Sequence, residues 1–133
     1  MTLAEASRAL GEPLRFEEVE GGCGYARSPS MPPRTSFMVV DGRIGRVDVD
    51  SAGVATFSGA QVGSSEEEVR RRYPGRIRTR MHEYLGPDGH YLTFVPPDPA
   101  DSSFGMVFET DGRRVISYRA GIHPVVDYIE GCS

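Results

Sequence analysis

The 133-residue sequence contains no lysine, no asparagine and no tryptophan. With lysine missing, all fifteen basic residues are arginines, permanently charged and suited to planar two-point contact with carboxylates or phosphates. The bias runs through the whole chain, so we read it as the codon usage of a high-GC bacterial genome rather than as selection at one site. Long apolar runs are also missing: nothing approaches the ~20 residues of a membrane span. The opening MTLAEASRALGEPL lacks the basic-then-apolar order of a signal peptide. Only two cysteines occur, Cys23 and Cys132, with no second Cys or His at zinc-finger spacing and no Cys-x-x-Cys. HExxH, GxSxG and GxGxxG are absent, which removes the usual marks of a zinc hydrolase, a serine hydrolase and a phosphate-cradling loop. The reading is of a chain that is more a binding module than an enzyme, with no cofactor.

The two cysteines leave two readings, a pair of reduced thiols or one long-range bridge. The bridge is the expected one, because it would pin the end of the chain to its first quarter. It places the protein in an oxidising compartment, periplasmic or secreted, with a leader removed ahead of Met1 and room for a lipid anchor on it.

What is present is charge. A net charge of −4 and a pI near 5.4 mean that the chain as a whole repels nucleic acid and anionic lipid. Against that background RRRYPGRIRTR, Arg70 to Arg80, packs six arginines into eleven residues. Arg70, Arg71 and Arg72 each stand four residues after a glutamate, Glu66, Glu67 and Glu68, which reads as a self-neutralised helix face. Arg76, Arg78 and Arg80 instead alternate with Ile77, Thr79 and Met81, which sets three arginines on one face of a strand. A nucleic-acid site would interleave stacked aromatics and lie on a basic domain, so none is expected.

A capping box opens each half of the chain: Thr2-x-x-Glu5 and, 63 residues later, Ser65-x-x-Glu68. Leu3, Ala6 and Leu10 form one apolar stripe, Val69 and Tyr73 another, and each short helix runs into a glycine. Strand signals follow both: RFEEVE, CGYAR, TSFMVV and IGRVDVD, then RIRTRM, HYLTFV, FGMVFE and RRVISYR. Asp41-Gly42 and Asp111-Gly112 sit between the last two strands of each set, where Asp-Gly favours a type I′ hairpin.

The expected fold is α+β: two tandem helix-plus-antiparallel-meander repeats forming one continuous sheet, with both helices packed on one face. The boundaries are repeat one at 1–53, a joining strand at 54–61, repeat two at 62–121 and a tail at 122–133, all in a single domain. The far face of the sheet is then open. Strand alternation places Arg46, Asp48, Arg76, Arg78, Arg80, Tyr91 and Arg119 on it, a composition suited to protein recognition.

The Val62-Gly63-Ser64-Ser65-Glu66-Glu67-Glu68-Val69 segment, with Met1-Thr2-Leu3-Ala4-Glu5-Ala6 as its weaker partner, resembles the repeat unit of a known bacterial group. It is similar to β-lactamase-inhibitory protein and to the small outer-membrane lipoproteins of the barrel-assembly machinery. FETDGRRVISYRAG and YIEGC also look like parts of uncharacterised secreted bacterial proteins. The resemblance implies a non-enzymatic module that binds a protein partner, as an inhibitor or a cell-envelope assembly factor. Two other functions stand beside it. One is a small hydrolase or metal-dependent enzyme using His82, His90 and Asp88 around the Gly-Pro-Asp-Gly turn; the other is a domain binding an anionic ligand in an arginine-lined pocket.

Overall fold

The computed structural model describes residues 1–132. Eight strands form a single antiparallel sheet: β1 (Arg15–Glu20), β2 (Cys23–Arg27), β3 (Thr35–Val40), β4 (Arg43–Val49), β5 (Ile77–Met81), β6 (His90–Phe94), β7 (Phe104–Thr110) and β8 (Val115–Ile122). Their spatial order is β1-β2-β3-β4-β8-β7-β6-β5, so β1 and β5 are the two edges. The strands lie where alternating β-branched and aromatic residues place them, between glycine and proline breaks. Asp41 and Gly42 both take positive φ, 49° and 79°, which is the type I′ hairpin that Asp-Gly supports. The second Asp-Gly turn differs. Only Gly112 has positive φ, and the Asp111 carboxylate accepts from the amides of Arg113 and Arg114, each at 2.9 Å, in a side-chain-closed turn.

Helix α1 (Leu3–Leu10) carries a complete capping box between Thr2 and Glu5 and stops at Gly11 in the left-handed region. Helix α2 (Glu66–Arg72) makes only half of its box: the Ser65 hydroxyl accepts from the Glu68 amide, while the Glu68 carboxylate pairs with Arg71 and Arg72. Val69 on α2 and Tyr73 just after it pack on Leu92, Phe108, Val115 and Tyr118 to form the main core. The first helix buries Ala6 alone, and Leu10 is exposed.

These observations correct the expected fold class. The molecule is dominated by one eight-stranded sheet, its helices are eight and seven residues long, and it is not a pair of helix-plus-meander repeats. The joining strand expected at 54–61 is a loop, and its Phe57 stands fully exposed. Among the described residues no helix is long and apolar enough to cross a membrane.

The far face is not open across its middle. After β8 the chain turns back and lies across that face as a strap, residues 123–132, containing a short 3-10 turn at Val125–Asp127. Val125 packs with Met38 and Cys132, and Val126 packs with Tyr91 and Val107. Two glycines seat it. A Cβ on Gly45 would stand 2.7 Å from a Val125 methyl, so a larger residue there would push on the strap, and one on Gly105 would stand 2.8 Å from His123 Nε2 and displace that ring. A disulfide between Cys23 and Cys132 ties the strap's end to β2, as the bridge reading expects.

Candidate functional site

Register fixes which side chains share the strap's face. Pairs directly opposite in an antiparallel ladder lie on the same side, so Arg78–Thr93–Val107–Arg119–Asp48 and Arg80–Tyr91–Glu109 form two rows across the sheet. All seven residues expected on one open face therefore belong to that side or, for Arg76, continue its alternation one residue before β5. Their surroundings differ sharply.

Arg46, Tyr91 and Arg119 are 4%, 1% and 4% exposed, and this corrects their expected place on an open surface. The strap is the cause. Arg46 Nη1 donates to the carbonyls of Val125 at 3.0 Å and Tyr128 at 2.7 Å, while its Nε donates to Asp48 Oδ2 at 3.0 Å. Burial raises the Asp48 carboxyl above the ordinary carboxylate range, and Arg46 offsets only part of that. Arg119 Nε donates to the Val126 carbonyl at 2.6 Å, and its Nη1 to Glu109 Oε2 at 2.5 Å. Backbone carbonyls of an irregular segment need donors when buried, and two guanidinium groups supply them.

His82, one residue past β5 and on the same alternation as Arg78 and Arg80, closes this network. Its Nε2 lies 2.7 Å from Glu109 Oε1, and its Nδ1 accepts from the amides of Tyr84 and Leu85, each at 3.1 Å. With Nδ1 accepting, the ring proton sits on Nε2 and is donated to Glu109. The imidazole stacks on Tyr91 at 4.4 Å between centroids, and the Arg80 guanidinium carbon lies 5.1 Å from the centre of that ring. The strap is also tied to the β5–β6 turn: Tyr84 Oη donates to Glu130, which holds the phenol up at about 12, with burial adding to the effect.

His90 occupies the opposite side of the sheet. Its Nδ1 is 2.7 Å from Glu66 Oε2 of α2, and Thr110 donates to the same oxygen. Burial works to raise the Glu66 carboxyl, but the Thr110 and His90 hydrogen bonds outweigh it and leave the group below its ordinary range. Asp88 shares a shallow polar hollow with His90, Asp111 and Arg113. His82 and His90 thus face away from each other, each on its own carboxylate, and do not converge with Asp88. Among the described residues no group of three or more His, Cys, Asp or Glu side chains is placed to hold a metal ion.

Two hollows remain. One, of about 390 Å³, lies between Arg15, Glu17, Tyr25 and Arg27, where the Glu17 carboxylate works against an anionic occupant. The other, of about 440 Å³, is an apolar groove between the 54–58 loop and the sheet, lined by Val47, Val54, Phe57, Phe104 and Tyr118.

Strand β5 is different from all of these. No strand pairs with its outer side among the described residues, so half of its N–H and C=O groups point away from the sheet. Arg78 and Arg80 are exposed on it and Arg76 just before it, and no described carboxylate lies within ion-pair distance of any of them. By contrast, Arg70 and Arg72 on α2 pair with Glu66 and Glu68 as the i,i+4 spacing expects, while Arg71 pairs with Glu68 at i,i+3 instead of with Glu67. Met81, Tyr84 and Leu85 continue the exposed surface with apolar area at the end of the strand.

In class, then, the chain is a single antiparallel sheet with a disulfide-held strap. Its fold is similar to that of an extracellular protein containing an SCP domain from Bacillus anthracis str. Ames, with a TM-score of 0.56 and 12% identity. The likeness covers 92% of this chain and 43% of the other, so the chain spans less than half of that protein's length. No family model matches the chain and no curated protein matches it, so the expected kinship with inhibitory proteins or barrel-assembly lipoproteins gains no support.

Proposed function

We propose that the chain is a non-enzymatic protein-binding module of an exported bacterial protein, and that it binds through the outer edge of β5. The observation carrying this reading is three arginines, Arg76 just before β5 and Arg78 and Arg80 on it, with no carboxylate partner and no neighbouring strand on the outer side among the described residues. An extended segment of a partner protein can add as a further strand, its backbone completing the ladder and its side chains supplying specificity. Arg76, Arg78 and Arg80 select acidic residues at alternate positions of that segment. Ile77, Thr79 and Met81 meet smaller or apolar residues on the other side. Arg46, Asp48, Tyr91 and Arg119 act from beneath, by holding the strap and the strand's neighbours in place.

The Cys23–Cys132 bridge supports an exported location, since such bonds persist in oxidising compartments. The extracellular character of the Bacillus neighbour agrees with it. A periplasmic or envelope setting, with the partner an enzyme to be inhibited or an assembly component, is the finer form of the same reading.

The test uses a blocked, fluorescently labelled peptide of alternating Glu and Val, with a Lys-for-Glu version as control. The acidic peptide is expected to bind at least about tenfold more tightly than the basic one, with a steep salt dependence. R78E/R80E should reverse that preference. Equal binding of the two peptides, or a preference unchanged in the variant, overturns the proposal.

A further inference from the structure

The sheet has a second edge, and it is the charge complement of the first. All six residues of β1 are exposed, and the strand carries Glu17, Glu18 and Glu20. None of the three has a described basic group within ion-pair distance. We infer that the extended acidic segment received by β5 is the β1 edge of a second copy of this chain, so that sheets join head to tail. This rests on the reading of β5 as a strand-accepting edge.

Topology makes the fit possible. Every neighbouring pair in the sheet is antiparallel, and the number of strands is eight, so β1 and β5 run in opposite directions. Placing a second molecule beside the first, with its strap on the same side, sets β1 of one antiparallel to β5 of the other. No inversion of the molecule is needed. The pairing has the geometry of the sheet's own internal ladders.

Faces match as well. Glu17 lies opposite Tyr25 and Glu20 opposite Cys23, so both glutamates are on the strap side, as Arg78 and Arg80 are. The ladder between β1 and β2 skips Val19, in a bulge between Glu18 and Glu20. In a register that sets Glu17 opposite Arg80, Glu18 falls opposite Thr79 and, past the bulged Val19, Glu20 falls opposite Arg78. On the other side of the sheet Phe16 then meets Met81, and both of these apolar side chains are exposed in the single chain.

Charge also ranks the alternatives. Two β5 edges would set arginine against arginine, and like charges directly opposite are unfavourable. Two β1 edges can match Arg15 with Glu17 but leave Glu20 without a basic partner and both β5 edges unused. The unlike pairing sets two glutamates against two arginines and is the one the charges favour most. That contact is heterologous, and each added molecule leaves one edge of each kind free, so assembly continues instead of stopping at a dimer.

The experiment is sedimentation velocity on the 133-residue chain over a concentration series in low and high salt, with R78E/R80E and E17R/E20R alongside. All four substituted side chains are exposed, so the fold is retained, and circular dichroism checks it. The wild-type average mass should climb with concentration without a dimer plateau, and fall in high salt. Each variant alone should associate at least about tenfold more weakly, because it presents two edges of the same sign. An equimolar mixture of the two variants should regain most of the lost association. A mixture no better than either variant overturns the head-to-tail pairing. So does a wild-type chain that stays monomeric throughout. If the chain stays monomeric while the Glu-Val peptide still binds at β5, the pairing falls and the binding edge stands; if the peptide fails too, both fall.

Discussion

Arg119 and Arg80 stand on the same face of the same sheet, and the alternation of their strands predicts the same surroundings for both. Arg119 is instead enclosed, with one nitrogen on a strap carbonyl and another on Glu109. Arg80 lies in the open, over the ring of Tyr91, with no carboxylate partner among the described residues. The strap makes the difference. It reaches Arg46 and Arg119 at the centre of the sheet, where Gly45 and Gly105 let it settle close, and it leaves β5 uncovered. Alternation assigns a side chain to a face; only tertiary packing decides whether that face meets water.

The comparison can be broken most strongly at the disulfide. Changing Cys23 and Cys132 to serine opens a closed loop with a sequence separation of 109 residues. It should lower stability by about 4–5 kcal/mol in the chain-entropy treatment, read as a urea midpoint shift that reductant reproduces in the wild type. Slightly smaller is Arg119→Met. It leaves Glu109 without its guanidinium and the Val126 carbonyl without its donor, at a cost of about 3–5 kcal/mol in the same urea titration. Either change should increase proteolytic access to residues near 123–132 before β5 is affected.

A weaker contrast is set by pH. Glu66 has its carboxyl held below the ordinary 4.5, so its stabilising contribution is complete above that value. The contribution is lost as pH falls through the lower folded-state value. The stability difference between wild type and Glu66→Gln should therefore shrink on acidification below about 4.5, with His90, Arg70 and Thr110 as the groups facing the carboxylate. An acid-independent difference would show that Glu66 acts only by shape. Smallest of all, R78E/R80E should change stability by less than about 0.5 kcal/mol, as exposed substitutions do, although it should remove the edge's preference for the acidic peptide.

Much of the ladder was legible. Val-Ile-Tyr-Phe alternation and glycine breaks marked the eight strands, Asp41-Gly42 marked its hairpin, and Thr2 and Ser65 marked both helix starts. Of the three glutamate–arginine pairs that spacing suggests on α2, Glu66–Arg70 and Glu68–Arg72 form, and Arg71 turns to Glu68 instead of Glu67. The layer above the sheet was not. Val125, Val126 and Tyr128 are too few and too irregular to show a period, so HPVVDYIEGC reads as a tail until the sheet is there to receive it. Cys132 was the available signal, because a bridge to β2 forces the intervening residues across the face. The buried role of His82 was equally hidden, since its partner Glu109 lies 27 positions away on another strand. The repeat reading failed for a related reason: similar helix caps said nothing about how much each helix buries, and α1 buries one residue where α2 and the adjoining Tyr73 help to build the core.

In the proposed binding mode the free edge of β5, not the strapped centre of the face, receives an acidic extended chain. Amide and arginine side-chain NMR shifts during titration with the Glu-Val peptide test it directly. Saturable changes are expected at Arg76 to Met81, with the Arg46 and Arg119 guanidinium signals unmoved. Changes centred on Arg46 and Arg119, with β5 silent, would contradict it.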